Sequence, residues 1–295
     1  DKTLRPWGLE VRYVDTDDFG QVAGAIDAKT SAVFIESITH PQLDVSDCRK
    51  ISEVTAAHRV PLVVDNTLLT PDLFNWGEHG VNIEILSSTK YISGGATSVG
   101  GVIIDHGNFD GQQAPRLQER AAKQGQMALL AALRQEVYRN VGACLAPHNA
   151  YLQSLGLESM SLRVEKSCAN TMTLAAYLEK QSLTQGVNYP GLARSPYHDL
   201  AAHPFGRRFG GVLTFDLASR EECFAFTDAL QLVRRATNIN DNKTLIIHPA
   251  STIFSEYPEV DKLAMGVRPN MLRLSVGIED YEDLIDDLEE GFKAL

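Results

Sequence analysis

Over the first hundred residues, short apolar runs alternate with longer amphipathic stretches, the rhythm of strands joined by helices. Residues 9–14 and 31–36 read as strands, the second with apolar residues at consecutive positions, as in a strand covered on both faces. Residues 19–26 read as a short helix. Residues 44–58 place Val45, Cys48, Ile51, Val54 and Thr55 at helical spacing, with Asp44 or Ser46 as the cap and Pro61 soon after the end. Residues 61–65 are a third strand, residues 73–79 a helix closed by Gly80, residues 81–86 a fourth strand and residues 99–104 a fifth. Strands separated by helices imply right-handed crossovers and a mostly parallel sheet.

From about Ala121 the pattern changes to long helices, over residues 127–141 and 150–180, with Pro147 and Gly156 marking a kink. Beyond residues 187–191, two strand-like runs at 211–215 and 271–276 flank helices near 220–233 and 281–292. The pattern predicts an α/β protein of two parts. Residues 1–145 form a large domain with a mostly parallel sheet, and residues 146–295 a smaller α+β domain.

Composition narrows the function classes. Of 295 residues, 44% are hydrophobic and 22% charged, ordinary globular values that suit neither a disordered nor a fibrous chain. A formal charge of -11 disfavours phosphate backbones and anionic lipid headgroups, so no nucleic acid or membrane partner is expected. No apolar run approaches the roughly 18 residues that cross a bilayer, and residues 1–6 do not resemble a signal peptide, which points to the cytoplasm. Cys48, Cys144, Cys168 and Cys223 lack metal-ligand or disulfide-framework spacing and read as reduced thiols in small core positions. His198 and His203, with Asp199 between, do not share a helix face, so no metal site is expected there. Asn242-Lys243-Thr244 fits a glycosylation sequon, which has no meaning in a cytoplasmic chain.

Polar residues gather after the carboxyl ends of the first strands, at 36–40, 65–67 and 87–90, where open α/β sheets build ligand sites. Ser87-Ser88-Thr89-Lys90 ends a buried strand ahead of a glycine turn at Gly94-Gly95. A desolvated lysine there can lose basicity and act as a nucleophile, whereas a phosphate-binding P-loop needs its glycines before the lysine. Alone, such a lysine is more often a surface residue. Asp65 follows three apolar residues on the neighbouring strand, where a carboxylate needs a buried donor to offset desolvation. A protonated pyridine nitrogen is one such donor, and a helix cap or loop hydrogen bond is the ordinary alternative.

Together, an Asp and a later Lys at neighbouring strand ends form the pattern of an enzyme that uses pyridoxal 5'-phosphate (PLP). Phe34-Ile35-Glu36-Ser37, residues 61–67, 87–91 and 98–105, Gly156-Leu157-Glu158, and residues 187–192, 248–252 and 272–279 resemble, in order, the Cys/Met-metabolism PLP enzymes. The resemblance implies the aspartate aminotransferase-like fold. It implies that Lys90 is the Schiff-base lysine, that Asp65 partners the pyridine nitrogen, that Ser87 and Thr89 bond the cofactor phosphate, and that Thr67 sits by the ring. Arg273 matches the residue that grips the substrate carboxylate with its guanidinium fork. Without the resemblance it would read as a strand arginine in an ordinary ion pair. His40 stands where the family usually has an Asn that contacts the cofactor's phenolic oxygen, and Gly94-Gly95 stands where sulfhydrylases commonly have a histidine.

Within the family, residues 240–245 resemble the sulfhydrylase pattern, with Asp241, Lys243 and Thr244 in place, and residues 108–126 and 187–192 are similar to sulfhydrylases too. This favours γ-replacement on an O-acyl-L-homoserine by sulfide or another thiol donor, with Thr244 beside the substrate. A γ-elimination enzyme of the methionine γ-lyase or cystathionine type is the runner-up. The resemblance also implies a homotetramer built as a dimer of dimers. Family members carry, ahead of the region matched by Leu9, a glycine-containing phosphate loop, a ring-stacking aromatic residue and a Tyr/Arg pair lent to the neighbouring subunit. None of these can be located here, so the expectation is a cofactor domain without its N-terminal segment. The non-enzyme alternative is an inactive fragment or assembly subunit.

Overall fold

The computed structural model describes residues 3–202, 206 and 208–295. Two sheets carry the architecture. In the first, β1 (Val33–Glu36), β2 (Leu62–Asp65), β3 (Ile83–Ser87) and β4 (Gly101–Asp105) lie side by side in chain order. In the second, β5 (Gly186–Asn188), β6 (Val212–Asp216), β7 (Arg234–Arg235), β8 (Leu245–Ile247) and β9 (Met271–Ser275) take the order β5-β6-β9-β8-β7.

β1, β2 and β3 are parallel, with Glu36 paired to Asp65 and Asp65 to Ile85, so their carboxyl ends share one edge. β4 runs antiparallel to β3, with Ser87 opposite Gly101. The reason is the connection: residues 88–100 form a polar turn with no crossover helix, and a strand that follows directly must return antiparallel. The second sheet is antiparallel except for the β7–β8 pair.

Cys48–Ala57 forms the predicted helix and buries Cys48, Ile51 and Thr55. Its cap is Asp47, whose carboxylate accepts from the Lys50 amide at 3.1 Å. Ser46 is diverted, its hydroxyl donating to the Glu36 carbonyl at 2.9 Å, and Asp44 closes a backbone bond to Thr39. Residues 9–14 are not a strand. Arg12 holds that segment instead, through ion pairs of 2.9 Å to Glu10 and 2.8 Å to Asp27 and a bond to the Ala25 carbonyl.

The stretch read as one helix over 73–79 is split into a helix at Thr70–Leu73 and a 3-10 turn at Trp76–His79. Phe74 is extended between them, and Asn75 caps the new turn by accepting from the Gly77 amide at 3.2 Å. Ala128–Ala132 is α-helical and continues as a wider π-helix over Leu133–Val141. Pro147–Glu158 and Met160–Leu178 are two helices that break at Ser159, three residues past the glycine read as the kink. β7, β8 and the helix Glu259–Ala264 escaped the sequence pattern, and the helix after Arg220 ends at Ala229 because Leu230 turns extended.

One apolar cluster runs from Ile35, Leu62 and Val64 of the first sheet, through Val164, Leu174 and Leu178 of the Met160–Leu178 helix, to Leu213, Phe215, Leu272 and Leu274 of the second. No helix among the described residues is long and apolar enough to cross a membrane. Cys48, Cys168 and Cys223 are buried and Cys144 is exposed, so three of the four occupy the core as expected. Burial raises Cys168 and Cys223 to about 12, which keeps both as thiols.

Candidate active site

The site is assembled where β2 and β3 end. Asp65 accepts from the Thr67 amide at 2.9 Å, and the Thr67 hydroxyl accepts from the Ser87 amide at 2.9 Å, which stitches the two strand ends together. The chain then folds back tightly: the Ser93 amide donates to the Ser88 carbonyl and the Gly94 amide to the Lys90 carbonyl, both at 2.9 Å. Lys90 stands at the head of that turn. Thr89 fastens its flank by donating to the Gly100 carbonyl at 3.3 Å and accepting from the Gly100 amide at 3.1 Å.

Two glycines let the surroundings close on the turn. A Cβ at Gly156 would lie 2.0 Å from the Ile92 carbonyl oxygen, so only glycine lets the Pro147–Glu158 helix approach this near. Gly94 has φ +80, and a Cβ there would lie 2.8 Å from the Arg163 guanidinium carbon. Arg163 itself donates to the Gly156 carbonyl at 2.7 Å and to the Ser159 hydroxyl at 3.0 Å.

The opposite wall comes from the second sheet. The Asn242 amide donates to the Gly94 carbonyl at 2.9 Å, and Lys90 Nζ donates to Asn238 Oδ1. Asn238 in turn donates to Asp241 at 3.1 Å, and Lys243 pairs with Asp241 at 3.5 Å. Arg273 rises from β9, 2% exposed, and donates to the Thr237 and Asn238 carbonyls at 2.8 and 3.2 Å. Among the described residues no carboxylate lies within ion-pair distance of it, and its Nε has no hydrogen-bond partner.

The charges at this edge act on one another. Burial, and then the Arg273 and Lys90 cations, push His40 down to about 4 against the pull of Asp65, so its ring is neutral at physiological pH. Burial lowers Lys90 as well, with Arg273 adding to the effect and Asp241 opposing it. Burial and then the Asp65 carboxylate push Glu36 up to about 7, against a bond from the His40 amide. Burial brings Arg273 down to about 10, where it remains a cation.

Of the residues singled out in the sequence, Asp65, Thr67, Ser87, Thr89, Lys90, His40 and Arg273 therefore converge on one edge. Thr244 is placed differently. It is fully buried, donates to Glu279 at 2.8 Å and accepts from the Gly277 amide at 2.9 Å, a brace behind the loop that carries Asn238 and Asp241. Glu36 and Asn238 join the site although neither was singled out. Glu36 was signalled by its place in the strand-end run 36–40, and Asn238 by nothing short of the fold. His198 stacks on Phe209 with centroids 5.6 Å apart and bonds the Pro190 carbonyl, and His203 lies outside the described residues.

The chain matches the family model of the Cys/Met metabolism PLP-dependent enzymes over residues 1–293. It belongs to that family of PLP-dependent enzymes. It is 34% identical to homocysteine synthase of Schizosaccharomyces pombe, covering 99% of this chain and 72% of that protein. It is 33% identical to O-acetyl-L-homoserine sulfhydrylase of Leptospira meyeri, with 99% and 71% covered. Among solved structures, the O-acetylhomoserine sulfhydrylase of Wolinella succinogenes superimposes with TM-score 0.87 at 47% identity, covering 98% of this chain and 79% of that one. A Campylobacter jejuni structure described as an O-acetylhomoserine (thiol)-lyase reaches TM-score 0.92 at 34% identity, covering 99% and 72%, and holds a pyridoxyl-lysine monophosphate.

The residues of this PLP-family chain fit the cofactor. A carboxylate at a strand end and an amine of lowered basicity share the edge with two buried nitrogens, His40 Nδ1 and Arg273 Nε, that lack partners among the described residues. Buried polar atoms of native proteins are nearly always paired, and these two nitrogens are free to meet a polar ligand at this edge.

Proposed function

We propose that this enzyme catalyses γ-replacement on an O-acyl-L-homoserine: sulfide displaces the acyloxy group to give homocysteine and the free carboxylate, and another thiol donor would give the corresponding thioether. The observation that carries the reading is Arg273. A buried guanidinium with no carboxylate partner among the described residues, raised beside Lys90, is a fixed cation suited to an anionic group, and an amino-acid carboxylate matches its fork. The sulfhydrylase and homocysteine synthase names of the relatives support the reaction class.

In this reading Lys90 would hold PLP, Asp65 would partner its ring nitrogen, His40 would serve its phenolic oxygen, and Thr67 would sit by the ring. Ser87 and Thr89 would hold the phosphate, Thr89 by turning its one hydroxyl proton away from the Gly100 carbonyl it meets at 3.3 Å. PLP, when bound, supplies the electron sink for charge left on the substrate's carbon. Arg273 anchors the carboxylate and thereby aims the Cα–H bond at Lys90. Once the substrate's own amine has displaced it from the cofactor, the Lys90 amine, lowered in basicity by burial and by Arg273, would take that proton and hold it for return. Residues 1–145 act as the cofactor domain and residues 146–295 as the substrate-side domain. The same reading places the enzyme in the cytoplasm, in methionine biosynthesis, as a homotetramer built as a dimer of dimers.

The test is a discontinuous assay with O-acetyl-L-homoserine, PLP and sulfide, run beside the succinyl ester. Sulfide-dependent homocysteine supports γ-replacement. An oxoacid and ammonia released at the same rate with and without sulfide would replace it with γ-elimination.

A further inference from the structure

Beneath the cofactor edge, on the other face of the sheet, four side chains form a continuous row. Glu84 of β3 is 1% exposed. One of its oxygens accepts from Asn66 Nδ2 at 3.0 Å, and the other meets His106 Nε2 at 2.8 Å. Asn66 Oδ1 accepts from the Trp76 indole at 2.9 Å. His106 cannot swing away from one side, because Gly77 lies against its ring: a Cβ there would come within 2.3 Å of Nδ1.

This row grips the one residue that separates Asp65 from Thr67. Asn66 is fully buried, its amide donates to the Ile85 carbonyl at 2.9 Å, and its carbonyl accepts from the Thr70 amide at 2.8 Å. With both side-chain ends also engaged, Asn66 has no unpaired polar atom and no freedom to rotate. Strand alternation sends Asp65, the last residue of β2, to the opposite face, toward the cofactor edge, and the turn after Asn66 brings the Thr67 amide back onto the Asp65 carboxylate at 2.9 Å. A carboxylate at position 84 is costly, since an apolar side chain would fill a buried β3 site without desolvating a charge.

We propose that Glu84 is a positioning residue for PLP: through Asn66 it fixes the Asp65 carboxylate and the Thr67 hydroxyl that holds the Ser87 amide. The proposal rests on Asp65 and Thr67 as cofactor ligands, and it predicts a local effect that does not require PLP. Glu84→Gln retains an oxygen for Asn66 and an amide that can meet the His106 ring. Glu84→Leu removes both, leaving the buried Asn66 amide unpaired and the half-buried His106 ring without its carboxylate.

The experiment compares parent, Glu84→Gln, Glu84→Leu and the helix-core control Ile51→Val. It measures amide hydrogen exchange in the cofactor-free protein and PLP binding by absorbance titration. Glu84→Leu is expected to speed exchange of the Thr67 and Ser87 amides about tenfold and to weaken PLP binding about tenfold. Glu84→Gln stays near the parent, and Ile51→Val leaves both readouts in place. His106→Leu, at a partly exposed position, removes one donor and produces the same local loosening to a smaller degree should Glu84→Leu fail to fold. Unchanged exchange at Thr67 and Ser87 in Glu84→Leu and His106→Leu, or the same loosening in Ile51→Val, overturns the proposal. A parent that binds no PLP would sink the cofactor reading, while the exchange pattern still decides whether the row holds these strand ends.

Discussion

Glu36 and Asp65 are paired across the parallel β1–β2 register, so two carboxylates are held side by side at the cofactor edge. Burial and the neighbouring charge move Glu36 from its ordinary 4.5 to about 7. In an unfolded chain both carboxylates ionise in water. As pH rises above 4.5, unfolded Glu36 releases its proton while folded Glu36 keeps it. The folded state then binds more protons, and its stability falls until the pH passes about 7. At about 1.4 kcal/mol per tenfold change in proton affinity, the full cost is on the order of 3 kcal/mol. Glu36→Gln removes this proton from both states. Urea unfolding of the cofactor-free protein should show the variant gaining on the parent by about 2.5 kcal/mol between about pH 5 and pH 8. His40 has the opposite sign: depressed to about 4, it contributes stability above its ordinary 6.5 that is lost as pH falls. It is present in both proteins and largely cancels in the difference. A difference that stays flat across this range would show that Glu36 ionises as it does in water, and the argument from its pairing with Asp65 would fall.

Other perturbations separate the roles assigned along the edge. Arg273→Lys replaces a fork by a point charge and should raise KM for the amino-acid substrate about tenfold or more in steady-state assays, with a smaller change in kcat. An unchanged KM would remove Arg273 from substrate binding. Thr244→Val breaks the link between Glu279 and Gly277 and should cost about 1–3 kcal/mol in urea unfolding while KM holds steady. A raised KM without lost stability would return Thr244 to the substrate. Gly156→Ala drives a methyl group toward the Ile92 carbonyl and should lower stability by about 1–3 kcal/mol, measured the same way.

The chemistry at the edge was legible because parallel strands end in polar residues where a site can form, and Asp65 and Lys90 each follow an apolar run that marks such an end. The direction of β4 was not, since hydrophobic runs carry no sign of parallel or antiparallel pairing. It became clear only from the turn that takes the place of a crossover helix. Residues 9–14 read like a strand yet pair with no strand among the described residues, and tertiary pairing outranks local pattern there. β7 is two residues long, below what any periodicity can reveal. Register, not composition, sets Glu36 beside Asp65. The bond from Lys90 to Asn238 joins positions 148 residues apart, and the Glu279 carboxylate that accepts from the Thr244 hydroxyl lies 35 residues further on, so neither contact is legible in the sequence.

The central claim is that Lys90 carries the cofactor, and chemical trapping tests it most directly. The purified protein is incubated with PLP, reduced with borohydride, digested and mapped by mass spectrometry beside Lys90→Ala. The account predicts a visible absorption band that borohydride abolishes, one pyridoxyl group on the peptide containing Lys90, and neither in the variant. A pyridoxyl group on Lys243 or elsewhere in place of Lys90, or a band that survives Lys90→Ala, would contradict it.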